Sequence, residues 1–502
     1  MNAPFLTGES READLDVAII GAGFSGLCMA IALKKAGYTA FQVFEKAHDL
    51  GGTWRDNRYP GCACDVPSHL YSFSFEQNPD WSRSFSPQRE IWRYMKDCAS
   101  KYAILPHLRF DAAVTAAEYD ETAHLWRMRL KDGATFTARA VISAVGALHL
   151  PAYPAIKGID SFQGRSFHSS RWDETFDLDG KTVGVIGTGA SAIQIVPSIA
   201  PIVKQLTLFQ RTPSWILPRM DRAFSQRTQK RFRKLPLLQR LFRHLIYWRM
   251  EMGVLGFLGN RALMRQVENM ALAYLERSVP EEKLRAALKP DYAIGCKRIL
   301  ISDDFYASMT RDNVELVTTP IAEATPDGIG TAEGRLHTFD AIIYATGFRA
   351  TDLLSEITIT GRGGRRLSDD WRGGAQAYYG IAVSGYPNFF MLLGPNTGLG
   401  HNSIIFMIEA QVRYTMDCLQ WLLRGGAGEI DVRPEVQKTF NNLLRQRMSR
   451  TVWQSGCRSW YLNENGTNST IWPGHTVGYW WQTRHARKSD FVPHRSDFPA
   501  TA

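Results

Sequence analysis

Two glycine-rich loops constrain the fold of this 502-residue chain more than any other feature. The first, GAGFSG at 21–26, follows the apolar run LDVAII and opens the run GLCMAIALKKAG, after which TAFQVFEK resembles a second strand. The second, GTGASA at 187–192, stands in the same order between TVGVI and VKQLTLFQR. Strand, loop, helix and strand in this order predict a parallel βαβ unit. Two such units, about 165 positions apart, predict an α/β fold with two doubly wound dinucleotide-binding domains.

The first loop has the glycine spacing that suits a dinucleotide pyrophosphate. Gly21 allows the tight turn, Gly23 lets the backbone approach the phosphates, and Gly26 allows close helix–strand packing. The helix N-terminus faces the negative charge. Glu45 stands nineteen positions after Gly26, at a strand end, where it would accept hydrogen bonds from a ribose diol. The residues expected to bind this first nucleotide are Gly21, Gly23, Phe24, Ser25, Gly26, Glu45 and Lys46.

The second loop ends in alanine, and its second strand differs from the first in a way that indicates a different nucleotide. Gln210 replaces the ribose acid, and Arg211 follows it. An arginine in place of a carboxylate suits a 2′-phosphate, because guanidinium binds phosphate oxygens in a bidentate way. We therefore predict FAD in the first site and NADPH in the second. The loop residues expected to bind NADPH are Gly187, Thr188, Gly189, Ala190 and Ser191.

Composition narrows the class of protein further. Apolar residues make up 44% and charged residues 22%, which is ordinary for a soluble globular chain. A net charge of +10 suits an enzyme that binds two anionic dinucleotides, so we expect no nucleic-acid partner. No apolar run is long enough for an integral membrane segment, and no signal peptide is recognisable, so we expect a cytoplasmic protein whose seven cysteines stay reduced. The oligomeric state is left open between a monomer and a homodimer. Cys62 and Cys64 lack a second pair at metal-site spacing, so no metal site is predicted.

The order of patterns predicts one domain split in sequence, with the second inserted into it. The FAD domain is expected at 1–150 and 349–502, and the NADPH domain at 181–215 and 292–348. The remaining segments are a linker at 151–180 and a helical insertion at 216–291. Within the insertion, the stretch LPLLQRLFRHLIYW has apolar residues at helical spacing, namely Leu237, Leu238, Leu241, Leu245 and Trp248. This pattern favours a helix covering a sheet over a helix lying on a membrane surface, although the sequence allows both.

Two longer motifs lie between the two glycine loops. The first is FQGRSFHSSRWD at 162–173, which has the form F-x-G-x-x-x-H-x-x-x-W-D. The second is GGTWRDNRYPGCACD at 51–65, and QRTP, CKR, ATGF and SWY follow at 210–213, 296–298, 345–348 and 459–461. Together these motifs resemble those of type I Baeyer–Villiger monooxygenases, within the flavin-containing monooxygenase superfamily. The resemblance covers nearly the whole chain.

The resemblance implies an enzyme that uses FAD, NADPH and O2 to insert one oxygen atom beside a ketone carbonyl, giving an ester or lactone. In the family a flavin peroxide supplies the nucleophile, and the protein supplies a cation beside it. By resemblance the cation is Arg298, and Asp65 orients it and tunes its charge. Arginine is suitable because it keeps its charge at neutral pH.

Other roles follow from the same resemblance. Gly52, Thr53, Trp54, Tyr59 and Asp65 are expected near the flavin. Lys297, Arg211 and Thr212 would contact the 2′-phosphate. Trp460 lies in a segment rich in glycine and asparagine, which we interpret as a lid that excludes water. His168 either couples domain motion or is a structural hydrogen-bonding residue.

Three alternative functions share part of this pattern. A monooxygenase acting on nitrogen or sulfur has both nucleotide sites. Trp172 and the part of the 51–65 motif that runs from Tyr-Pro-Gly to Asp65 argue against it. A pyridine nucleotide–disulfide reductase needs a C-x-x-C or C-x(4)-C pair beside the flavin, where this chain has C-x-C. A non-catalytic flavoprotein, which senses redox state or binds membranes through 216–250, is the third.

Overall fold

The structure is a computed structural model that describes residues 13–425, 427–457, 459–463 and 465–495. Its largest sheet has the order β17-β4-β5-β6-β1-β2-β3, with β18 beside β6. The bounds are β1 (Leu15–Ile20), β2 (Phe41–Phe44), β3 (Leu108–Arg109), β4 (Val114–Asp120), β5 (Leu125–Leu130), β6 (Thr135–Ser143), β17 (Thr358–Thr360) and β18 (Phe389–Met391). Strands from both ends of the chain therefore form one sheet.

The second sheet lies between those segments in sequence and is wholly parallel, with the order β12-β9-β8-β16-β7. It comprises β7 (Arg165–His168), β8 (Thr182–Ile186), β9 (Gln205–Phe209), β12 (Val314–Val317) and β16 (Ala341–Tyr344). The central strands β1 and β8 are runs of apolar residues; Val17, Ile19, Val183 and Val185 have no exposed surface. Such runs are typical of parallel strands covered on both faces. The predicted α/β fold with two dinucleotide-binding units is confirmed.

The remaining strands form three smaller sheets. One pairs β10 (Ile216–Leu217) with β11 (Leu300–Ile301), and another pairs β19 (Ala427–Val432) with β20 (Phe491–Arg495). The third is antiparallel and contains β13 (Ile321–Thr325), β14 (Gly328–Thr331) and β15 (Leu336–Thr338). The helices outside the insertion are α1 (Phe24–Lys35), α2 (Thr53–Asp56), α3 (Gln88–Lys101), α4 (Ala192–Ile199), α10 (Phe305–Met309), α11 (Leu367–Asp370), α12 (Ile404–Leu423), α13 (Pro434–Met448) and α14 (Thr476–Gln482). In the described part of the chain, no helix has the length and apolar character needed to cross a bilayer.

The insertion is helical after the two residues of β10. It contains α5 (Gln226–Lys234), α6 (Pro236–Met252), α7 (Val254–Phe257), α8 (Arg261–Ser278) and α9 (Glu282–Leu288). A helix that covers a sheet with its apolar side would bury that side, and α6 does not. Its apolar residues Leu237, Leu238, Leu241, Leu245 and Trp248 are exposed, and its buried positions are Gln239, Arg243, Tyr247 and Glu251. The helix is turned this way because its polar residues find hydrogen-bond partners in the first domain.

His168 is the last residue of β7, which places this part of the predicted linker within the second sheet. Its Nδ1 accepts a hydrogen bond from the Ser170 backbone N–H at 3.1 Å, so its Nε2 carries the proton and donates to the Gly347 carbonyl at 3.0 Å. The His168 side chain is fully buried, and burial lowers its pKa to about 4. Both ring nitrogens thus have structural partners, which favours the structural interpretation of this motif histidine.

We expect His168 to make folding stability fall with acidity. Because burial disfavours the charged ring, the unfolded chain takes up a proton near pH 6.5 and the folded chain only near pH 4. The stabilising contribution is therefore complete above about pH 6.5 and declines as the pH drops toward about 4. The thermal unfolding midpoint of His168→Gln should change less over this range than that of the unsubstituted chain. Parallel curves for the two proteins would contradict the assignment.

The expectation that all cysteines stay reduced is contradicted by the structure. Cys296 and Cys457 form a disulfide with their Cα atoms 6.1 Å apart, although 161 positions separate them in sequence. The pair forms because the C-terminal segment folds back onto the loop that precedes β11, which brings the two thiols together. The other cysteines, Cys28, Cys62, Cys64, Cys98 and Cys418, are free and buried.

The disulfide predicts a definite thiol count. Purified protein, denatured without reductant, should show five reactive thiols, and reduction should raise the count to seven. Cys457→Ser should gain one thiol before reduction, because Cys296 is released, whereas Cys418→Ser should lose one. Seven thiols before reduction would show that the pair is open in solution.

Candidate active site

A cavity of about 1590 Å³ is lined by both glycine loops and by the motif residues between and after them. It contains nearly every predicted site residue. Those lining it are Gly21, Gly23, Phe24, Ser25, Glu45, Lys46, Gly52, Thr53, Trp54, Tyr59, Asp65, Gly187, Thr188, Gly189, Ala190, Ser191, Arg211, Thr212, Lys297, Arg298 and Trp460. Gly26 is the exception, since it lies behind the loop. A Cβ there would stand 1.9 Å from the Gly21 carbonyl oxygen, so Gly26 serves close packing.

The first loop presents unpartnered backbone donors to the cavity. The hydrogen-bond ladder of α1 begins with the Leu27 N–H, which donates to the Gly23 carbonyl at 3.0 Å. The N–H groups before it have no partner within the helix, and no side chain caps this end. No acidic residue stands in the first turn. A helix end of this kind suits the pyrophosphate of a dinucleotide.

Glu45 is held at the end of β2 by three donors. Its Oε2 accepts from the Ala22 N–H at 2.9 Å, and its Oε1 accepts from Arg55 at 2.9 Å and from the Ala47 N–H at 3.1 Å. A carboxylate offers about four lone-pair positions, so one on Oε2 remains for a ribose hydroxyl. The predicted ribose contact is compatible with this arrangement.

The second loop is arranged similarly, and its neighbours carry positive charge. The ladder of α4 begins where the Ile193 N–H donates to the Gly189 carbonyl at 3.2 Å, again without a capping side chain. The Thr188 hydroxyl donates to the Thr212 carbonyl at 2.8 Å, which fixes the QRTP strand end beside the loop. Arg211 is exposed and has no ion-pair partner among the described residues. Burial and the nearby Arg211 charge lower the pKa of Lys297. Lys297 and Arg211 are thus close enough for one charge to act on the other, and such a pair of cations suits an anionic ligand.

Arg298 and Asp65 form an ion pair within the cavity. Arg298 Nε and Nη2 both donate to Asp65 Oδ2, at 3.0 and 2.5 Å. Their side chains are 28% and 31% exposed. The Asp65 charge raises the pKa of Arg298 further; burial raises the pKa of Asp65, but the Arg298 charge outweighs it and holds that pKa below its ordinary value. Both groups are therefore charged at neutral pH, and Arg298 presents a fixed cation.

The loop that carries Asp65 is fixed against α4. Tyr59 donates its hydroxyl proton to Gln194 Oε1 at 3.0 Å, and Gln194 Nε2 donates to the Ala63 carbonyl at 3.0 Å. Gly61 has a φ of +79°, and a Cβ there would stand 2.2 Å from the Ser198 hydroxyl oxygen. The Tyr-Pro-Gly sequence therefore allows the close approach of this loop to the second domain.

Several residues of the site were missed in the sequence. Gln194 is a polar residue within the apolar run AIQIVPSIA, and this isolation is the signal that marks it. Arg219 donates to the Cys64 carbonyl at 2.9 Å next to Asp65, and nothing in its surroundings in sequence distinguishes it. Tyr71 accepts from the Trp54 indole at 3.1 Å and fixes that ring at the cavity wall. Trp460, which the sequence did single out, lines the cavity, and 43% of its surface is exposed.

Comparison with known proteins agrees with this geometry. The model of the flavin-binding monooxygenase-like family matches residues 14–351. A Baeyer–Villiger monooxygenase of Pseudomonas aeruginosa is 46% identical over 462 residues, which cover 92% of this chain and 88% of the relative. Among solved structures, an oxidised steroid monooxygenase bound to NADP has a TM-score of 0.86 and 30% identity, covering 96% of this chain and 99% of its own.

A second solved structure, OTEMO in complex with FAD and NADP, has a TM-score of 0.84 and 29% identity, covering 94% of this chain and 98% of its own. The family match covers more than half of the chain, and the bacterial relative spans nearly all of it. The resemblance inferred from the motifs is therefore confirmed. This chain belongs to the flavin-binding monooxygenase-like family, beside relatives named as Baeyer–Villiger monooxygenases.

Proposed function

We propose that this chain binds FAD and NADPH and inserts one oxygen atom of O2 next to a ketone carbonyl, giving an ester or lactone. The observation that carries this proposal is the Arg298–Asp65 ion pair in a cavity that both glycine loops line. The relative named as a Baeyer–Villiger monooxygenase supports the reaction type. The neighbour solved with FAD and NADP supports the cofactors.

The first site has the donors that FAD requires. The open N-terminus of α1 would bind the pyrophosphate, and Glu45 would accept from the ribose. Thr53, Trp54 and Tyr59 would lie against the remaining part of the cofactor. When bound, the flavin supplies the activation of O2 and the oxygen atom that is transferred. The chain itself must hold the ketone and stabilise the charge that develops on it.

Arg298 is suited to that second task. When the carbonyl carbon of the ketone is attacked, negative charge develops on the carbonyl oxygen. A guanidinium fixed in advance stabilises this charge without reorganising at the moment of reaction. Asp65 holds two of the guanidinium nitrogens, so the cation cannot rotate freely. In this role Arg298 is the catalytic residue, and Asp65 orients it.

NADPH would occupy the second site. The open N-terminus of α4 would face its pyrophosphate, and Arg211, Thr212 and Lys297 would surround the 2′-phosphate. Gln210, which has the place of Glu45 in this unit, donates to the Ala287 carbonyl at 2.7 Å and carries no charge that would repel a phosphate. Trp460 at the cavity wall would help to exclude water while the reaction proceeds.

The test of the reaction is product analysis with purified protein, FAD, NADPH, O2 and a panel of ketones with one thioether. We expect an ester or lactone heavier than its ketone by one oxygen. Arg298→Ala should still allow NADPH to bleach the flavin but should lower ester formation by about 100- to 1,000-fold, because the fixed cation is lost. The control is Arg335→Ala, which removes an exposed arginine ion-paired with Glu315 away from the cavity and should leave turnover unchanged.

Two outcomes would contradict this assignment. Ester formation retained in Arg298→Ala would refute the catalytic role of that residue while leaving the reaction in place. Sulfoxide from the thioether, with no ester from any ketone, would indicate a monooxygenase acting on heteroatoms instead.

Arg211 should determine the choice of coenzyme. Its replacement by alanine removes a charged contact to the 2′-phosphate, so the KM for NADPH should rise by about 10- to 100-fold. NADH lacks this phosphate, and its KM should change little in the same variant. Steady-state rates of flavin reduction with both coenzymes check this. An equal change for NADPH and NADH would mean that Arg211 has a general structural role.

A further inference from the structure

Helix α6 is inverted relative to an ordinary surface helix, because its polar side faces the protein and its apolar side faces solvent. Leu237, Leu241 and Leu245 are 78%, 57% and 63% exposed, and Trp248 and Met252 continue the same row. These positions are three or four residues apart, so they form one stripe along the helix. We call this stripe the outer face of α6. Scattered exposed leucines are normal on a protein, but a continuous row indicates a contact surface.

The buried side of α6 explains why the helix keeps this orientation. Gln239 donates to the Asn78 carbonyl at 2.7 Å, and Arg243 donates to the His69 carbonyl at 2.7 Å. Tyr247 lies 2.9 Å from the Thr476 hydroxyl, and Glu251 accepts from that same hydroxyl at 2.6 Å. Each of the four buried polar side chains thus has a partner in the main body of the protein. Rotating the helix to bury its leucines would turn these four side chains toward solvent and break their hydrogen bonds to the Asn78 and His69 carbonyls and the Thr476 hydroxyl.

Exposed positive charge is concentrated on α6 and on α5, which precedes it in sequence. The stretch 226–252 contains eight Lys or Arg residues and one acidic residue, Glu251, which is buried. In α5 the exposed cations are Arg227, Lys230, Arg231, Arg233 and Lys234, of which only Arg233 forms an ion pair within the described chain, with Asp80. Arg240 and Arg249 are exposed on α6 itself. An apolar stripe with flanking cations is the pattern of a helix that lies in the interface of an anionic bilayer.

We propose that the outer face of α6, together with the cations of α5, docks this protein on an anionic lipid bilayer. The leucines and Trp248 would enter the boundary between headgroups and acyl chains, and the neighbouring Lys and Arg side chains would reach the lipid phosphates. A second copy of this chain fits the same surface less well. In a two-fold dimer each patch meets itself, so the cations would face one another.

Sedimentation with lipid vesicles tests this proposal on the full chain with FAD bound. The protein should sediment with vesicles of phosphatidylcholine mixed with phosphatidylglycerol, and far less with phosphatidylcholine alone. Leu241→Ser with Leu245→Ser should weaken binding to the mixed vesicles at least about tenfold. The matched control, Leu336→Ser with Leu443→Ser, replaces two exposed leucines elsewhere and should bind as the unsubstituted chain does.

The charge component is tested separately. Replacing Arg227, Lys230 and Lys234 by Gln should weaken binding about 100-fold, because each cation near an anionic surface contributes roughly a fivefold factor. Added salt should also weaken vesicle binding of the unsubstituted chain, because it screens the attraction between these cations and the lipid phosphates. Flavin absorbance and NADPH consumption without a ketone should be unchanged in every variant, which shows that folding and the nucleotide sites are intact.

Three results would overturn the proposal. The first is that neither vesicle type sediments the protein. The second is that the α6 variant and its leucine control bind equally. The third is that light scattering shows a dimer which the α6 substitutions convert to a monomer, without vesicle binding; the outer face would then be a contact between copies.

Discussion

The Arg298–Asp65 ion pair is the interaction on which the arrangement of the cavity depends. Asp65 follows the first glycine loop and Arg298 precedes β11, so the pair joins segments 233 positions apart. Both side chains remain partly exposed, and ion pairs of this kind contribute little to folding stability. Its importance is positional, because it places one fixed cation in the cavity that both glycine loops line. That geometry is maintained only if the two sheets keep their relative position.

Three other contacts fix the segments around the cavity, and each involves a different segment. His168 connects the linker to the ATGF turn through the Gly347 carbonyl. Tyr59 and Gln194 connect the loop that carries Asp65 to α4. The disulfide between Cys296 and Cys457 ties the C-terminal segment to the loop that carries Lys297 and Arg298. All three contacts involve residues that line the cavity or are adjacent to it in sequence. Substitutions that break them are therefore expected to disturb the geometry of the cavity more than the packing of the core.

The local features were predictable because they depend on neighbouring residues. The two glycine loops, the strands that precede them and the helices that they open were predicted from spacing and apolar runs. The gathering of Arg298 and Asp65 came from the family motifs and not from the pattern alone. The disulfide was not predictable, since nothing local marks Cys296 and Cys457 as partners. The orientation of α6 could not be predicted for a different reason. Periodicity identifies an apolar stripe but not which side of the helix the protein covers, and here the covered side carries Gln239 and Arg243, which form hydrogen bonds there.

Gln210 links coenzyme choice to the attachment of the helical insertion. Its amide donates to the Ala287 carbonyl at the end of α9, while its position in the βαβ unit is that of the ribose-binding acid. An ionised glutamate at this position would be an acceptor only, so it would both favour a free ribose diol and lose the bond to Ala287. Evolution or engineering toward NADH at this site would therefore need a compensating change at the base of the insertion, and the two properties are expected to vary together.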